Sequence, residues 1–173
     1  MNSSKAALIV LFVSLFMVMP GCGKKVNDGS GGDAEVSEAG QQAGGQFEKA
    51  LALWKEGQRE QAAETFLEID WAQGLGFSLE SVFSLSEKEF VVLAADERNQ
   101  MQQEAMGITR TMRELVQHVV SVGSGKEYDE AEKCFEAVRD CGKALSESDG
   151  LLLVKMTGEA IEKLASKELA NLP

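Results

Sequence analysis

Histidine is nearly absent from this 173-residue sequence, in which His118 stands alone. One imidazole cannot build a His-ligated metal site, and no Ser-His-Asp set can be argued from it. With Leu115, Val119 and Val122 around it at helical spacing, His118 reads as a packed or partly exposed structural side chain. The three cysteines contain no C-x2-C pair, which removes the common zinc and dithiol signatures. The two prolines are Pro20 and Pro173, so nothing between them forces a helix to break. Basic residues are also scarce: 17 Lys and Arg face 28 Asp and Glu, a net charge of −11. Phosphate binders cluster positive charge, so this balance excludes nucleic acid and electrostatic docking on anionic lipid heads. Gly123-Ser124-Gly125-Lys126 looks like the end of a phosphate loop, but Val120 replaces its first glycine, Glu127 replaces its hydroxyl, and no strand precedes it. The carboxylates alternate with Lys and Arg, as on solvated helix faces, and show no spacing that would pair two for catalysis. No cofactor or metal is expected.

What is present begins with an address. Lys5 is followed by fourteen residues, Ala6 to Met19, whose only polar member is Ser14. A stable span needs about 20 apolar residues to cross about 30 Å of hydrocarbon, so this run has the length of a signal-peptide core. The succeeding Val18-Met19-Pro20-Gly21-Cys22 resembles the bacterial lipobox, with Met19 in place of the usual Leu and an uncommon Pro20. The resemblance implies that residues 1–21 are removed and that Cys22 carries the acyl chains, making the membrane a partner through lipid rather than through charge. In a Gram-negative cell, Gly23 after the cysteine resembles the pattern of lipoproteins sent to the periplasmic side of the outer membrane.

Between Gly23 and Gly45, seven of 23 residues are glycine, and Val26 and Val36 are the only β-branched apolar ones. Such a composition buries too little to offset its ordering entropy, so residues 22–45 are expected to form a disordered tether.

Residues 46–173 are expected to form an all-α domain. Phe47, Ala50, Leu51, Leu53 and Trp54 make one stripe at helical spacing, closed by Gly57, and Ala62, Ala63, Phe66, Leu67 and Ile69 make another. Helices joined by so few residues fold back as a hairpin. Residues 72–85 read as a loop. Ser86 and Glu89 form a capping box that starts a helix reaching about Val122, with Gly107 the expected weak point. Gly123-Ser124-Gly125 ends it. A further helix carries Tyr128, Ala131, Phe135 and Val138. The last starts near Ser148 or Asp149, with Leu152, Val154, Ile161, Leu164, Ala165 and Leu169 as core candidates. Gly142 and Gly158 inside these helices suggest a close backbone crossing.

Gly57, Ala62 and Phe66, and again Gly125, Tyr128, Ala131 and Phe135, are similar to the second half of a tetratricopeptide repeat, where a turn precedes A-x3-F. The resemblance covers about 45–70 and 110–145, the first half of each repeat being degenerate. It implies helical hairpins stacked as a short α-solenoid or bundle, and generic hairpin packing is the rival. Cys134 and Cys141 on one helix would lie about 10.5 Å apart along its axis, beyond the roughly 7 Å that a disulfide allows, so two buried thiols are expected.

Three readings of function follow. The first is a non-enzymatic envelope lipoprotein whose hairpins bind a protein or peptide partner. The second is a structural or assembly component that self-associates through apolar positions such as Phe77, Leu79, Val82 and Phe83. The third, an enzyme using carboxylates alone, has no motif behind it.

Overall fold

The computed structural model describes residues 37–77 and 82–173. The signal segment 1–21, Cys22, most of the expected tether and Leu79 lie outside the described residues. Within them are α1 Glu38–Lys55, α2 Arg59–Leu67, a 3-10 turn Trp71–Gln73, α3 Glu87–Val92, α4 Ala95–Gly123, α5 Tyr128–Ser146 and α6 Leu152–Ala170, with no strand among the described residues. The class is all-α.

The first helix starts earlier than composition suggests. Ser37 caps it by accepting the Gly40 N–H at 3.1 Å, and Glu38 lies in its first turn. Residues 38–45, expected in the tether, are therefore helical. Their glycines are the reason. Gly40, Ala43 and Gly44 are buried, and the Gly76 N–H donates to the Gly40 carbonyl at 2.8 Å. A Cβ at Gly44 would collide with the Gly76 carbonyl oxygen. Here the missing side chains let a distant loop backbone sit on the helix, which offsets the roughly 1 kcal/mol that each helical glycine costs.

Gly57 ends α1 as its position predicts. Its φ is +81°, its N–H donates to the Trp54 carbonyl at 3.0 Å, and the Gln58 N–H reaches the Leu53 carbonyl at 2.9 Å. This is a Schellman closure, which turns the chain back so that α2 packs along α1. Phe47 and Phe66, both fully buried, join Trp71 and Phe83 in an aromatic cluster, with ring centroids 4.9 to 6.5 Å apart among the pairs in contact. Phe77 stacks on Phe83 at 4.6 Å. Val82 and Phe83 are thus core, and Phe77 is half-buried. Phe77 and Phe83, read as part of a self-association face, instead pack on Phe47 of the first hairpin, and Val82, next to Phe83 in sequence, is buried.

The Ser86–Glu89 capping box is present, with both backbone N–H groups engaged at 2.9 and 3.3 Å. The helix then breaks at Leu93 and Ala94, both extended, rather than at Gly107. Val91 and Val92 lie exposed just before the break, and the Glu97 carboxylate accepts the Ala94 N–H at 3.1 Å to start α4. Helix α4 runs 29 residues straight through Gly107, which is exposed with no neighbour to disturb. It packs on α1, α2, α5 and α6, and buries Ala105, Met112, Leu115, Val116 and Val119.

Helix α5 contacts α4, yet its most extensive partner is α6. Helix α6 starts at Leu152, later than Ser148 or Asp149, because its cap comes from elsewhere: the Glu87 carboxylate of α3 accepts the Leu152 N–H. Consequently Leu151 enters the core while Leu152 points outward. Val154, Ile161 and Ala165 are buried as expected; Leu164 and Leu169 are half-buried.

Candidate interaction groove

The short α3 leaves part of α4 uncovered, and the late start of α6 leaves a gap opposite. Between them Glu87, Phe90, Gln102, Ala105, Met106, Leu151 and Leu153 line an open groove of about 270 Å³. Its floor is carbon: Ala105 and Leu151 are buried, and Phe90 and Leu153 are packed against the core. Met106 is 48% exposed, and Leu152 and Met156 are each 58% exposed. Residues 102 and 106, and 152 and 156, are each one helical turn apart, so each pair shares a face. Farther along, the Arg113 guanidinium donates to the Thr157 hydroxyl at 3.3 Å. Helices α4 and α6 therefore run in the same direction on either side. The only polar side chains lining the groove are Gln102 and Glu87, and one Glu87 oxygen is committed to the Leu152 N–H.

Other features are less open to a ligand. Trp71, Asp140, Lys143 and Glu147 line a second cavity of about 270 Å³, beside which the buried Trp71 indole N–H has no acceptor. On the opposite hairpin, Trp54 donates to Glu114 at 3.4 Å and lies 5.3 Å from both the His118 ring and the Arg59 guanidinium carbon. His118 is therefore one wall of a satisfied aromatic contact. Lys126, from the glycine-rich connection, pairs with Glu130 at 2.8 Å, an exposed i, i+4 bridge that raises the lysine and lowers the carboxyl from their ordinary pKa values. Cys134 and Cys141 are buried free thiols, and burial pushes both pKa values up, Cys141 further. Among the described residues no three His, Cys, Asp or Glu side chains converge on a metal-sized site. No described helix is long and apolar enough to cross a membrane.

The residues singled out in the sequence are scaffold here. Gly57 closes the first hairpin; Ala62 and Phe66 are fully buried in it. Ala131 and Phe135 are buried where α5 meets the end of α4, close enough that a Cβ at Gly123 would lie 3.0 Å from the Phe135 ring. Tyr128 departs from the pattern: it is the first residue of α5 and 46% exposed. Sequence reasoning missed the groove. The signal was present in Met106, an apolar residue off the buried face of its helix, but which segments flank it is set by the tertiary fold. Compared with known proteins, the chain matches no family model, no curated protein and no solved structure.

Proposed function

We propose that this chain is an envelope lipoprotein, anchored through acylated Cys22, whose helical domain binds a protein or peptide without catalysing a reaction. In a Gram-negative envelope its place would be the periplasmic face of the outer membrane. The observation that carries the binding half is the groove between α3, α4 and α6. Its lining is mostly apolar, with Met106 exposed beside half-buried Phe90 and Leu153, on a strongly charged protein, and apolar surface open to solvent marks interaction sites. The tetratricopeptide-like reading rests on the α1–α2 hairpin with Ala62 and Phe66 at its contact, and gains nothing from Tyr128. The self-association reading loses its motivating face, because Val82 and Phe83 are core.

Two measurements test the proposal. Metabolic labelling with a fatty-acid analogue is expected to tag the wild type and leave Cys22→Ser unlabelled; label that survives the substitution removes the anchor. Photocrosslinking in intact cells from positions distributed over the helical domain is expected to trap the same one or few envelope proteins. Failure at every position, with turnover of a small substrate by the purified chain, would replace binding by catalysis.

A further inference from the structure

We propose that residues 86–94, which carry α3, form a displaceable strap: they open as a unit while the rest of the helical domain stays folded, stripping one wall from the groove and uncapping α6. The device operates whatever the groove binds.

The strap is held lightly. Helix α3 is six residues long and buries none of them, and a helix well under about 12 residues is not stable by itself. Val91 and Val92 are 62% and 82% exposed, so they contribute no burial. Two attachments to the body remain. Phe90 packs half-buried against the core, and the Glu87 carboxylate accepts the Leu152 N–H. Every other hydrogen bond of 86–94 among the described residues is local, made within the strap or to the start of α4. No ion pair ties Glu87, Lys88 or Glu89 to another element among the described residues.

Its folded-back position also comes from those two attachments. No Gly or Pro occurs between Glu87 and Met106, so nothing in the local sequence forces a break. Yet Phe90 lines the same groove as Ala105, which a continuous helix would place about 22 Å away at about 1.5 Å per residue. The extended pair Leu93 and Ala94 turns α3 back along α4. A reversal without a chain breaker lasts only as long as its tertiary contacts. The flanks, by contrast, are firmly anchored. Phe83 is buried in the aromatic cluster upstream, and α4 is buried from Ala105 onward.

Opening has two consequences. Glu87 and Phe90 leave the groove lining, so buried Ala105 and Leu151 gain access to solvent. The Leu152 N–H loses its acceptor at the same moment, so the first residue of α6 reports on the strap. Segments with little burial and few remote hydrogen bonds open as local units at low free energy.

Native-state hydrogen exchange on the full chain in phosphatidylcholine nanodiscs tests this without any substitution. Amides at 90–93 and at 152 are expected to exchange together, about a hundredfold or more faster than those at 112–119 and without dependence on low denaturant. Exchange at 90–93 only through the global unfolding that releases 112–119 overturns the proposal, as does exchange at 152 that fails to follow 90–93. Thiol labelling with N-ethylmaleimide, resolved by peptide mass, reads the groove in Ala105→Cys. Cys141, fully buried on α5, is the internal clock for global unfolding. Position 105 is expected to react about tenfold or more faster than Cys141. Adding Glu87→Ala is expected to speed position 105 about fivefold, the loss of one cap. Adding Ala131→Leu, which strains the α4–α5 contact away from the strap, is expected to speed Cys141 and leave position 105 unchanged. A position 105 that reacts no faster than Cys141, or that accelerates with Ala131→Leu, overturns the strap.

Discussion

Gly142 and Gly158 meet backbone to backbone where α5 packs on α6: a Cβ on Gly142 would lie 2.8 Å from the Gly158 carbonyl oxygen, and one on Gly158 would lie 2.6 Å from that of Gly142. These are approaches that real Cβ atoms do not make, and the obstacle is main chain, which cannot rotate aside. The most extensive helix–helix interface among the described residues therefore depends on two hydrogen atoms. Gly142→Ala or Gly158→Ala is expected to cost about 1 to 3 kcal/mol or more by overpacking. Gly107→Ala, in open space on α4, is expected to gain about 0.5 to 1 kcal/mol. Chemical denaturation of the three variants checks both signs.

The start of α1 gives a second prediction. Because the Gly76 backbone sits on Gly40 and Gly44, Gly44→Ala is expected to destabilise the chain, while Gly45→Ala, with nothing within 4 Å, is expected to be neutral or stabilising. Hydrogen exchange is expected to show protected amides at 41–45. Fast exchange there would return those residues to the tether.

The α4–α5 contact makes a third. Ala131→Leu adds carbon to a filled site and is expected to cost about 1 to 3 kcal/mol. Phe135→Ala empties space beside Gly123 and is expected to cost about 3 to 5. Glu130→Gln, which loses only an exposed pair with Lys126, is expected to stay within about 0.5 kcal/mol. Thermal melts of the three rank them.

The buried thiols make a fourth. Reducing agent is expected to leave the melting temperature unchanged, since Cys134 and Cys141 are free. Burial holds Cys141 neutral, with its folded pKa well above 9.0. A raised folded pKa means that its contribution is fully present below the unfolded value and is lost as pH rises from there toward the folded one. Above about pH 9, wild type is therefore expected to lose up to about 1.4 kcal/mol per pH unit more than Cys141→Ala. Parallel pH profiles would contradict this.

The remote cap of α6 makes a fifth. Glu87→Ala removes the acceptor of the Leu152 N–H and is expected to cost about 1 kcal/mol. It is also expected to loosen the first turn of α6, seen as faster exchange at 152–155. An unchanged exchange rate would mean that the cap contributes nothing.

What the sequence by itself determined is local. Periodicity without internal proline placed the helices, Gly57 marked a left-handed turn because few other residues accept φ near +81°, and Ser86 with Glu89 marked a start because both partners of that box lie within four residues. Ala62, Phe66, Ala131 and Phe135 were legible as core because burial on one helix face repeats every three or four positions. The tertiary structure decided what depends on a distant partner. Gly40 and Gly44 read as tether until Gly76 arrives; Leu152 read as core until Glu87 fixes where α6 begins; Phe77 and Phe83 read as a free face until Phe47 covers them. The groove belongs to the same class. Its lining is drawn from α3, α4 and the start of α6, whose mutual placement no local periodicity encodes, since it follows from side-chain packing between segments up to 65 residues apart.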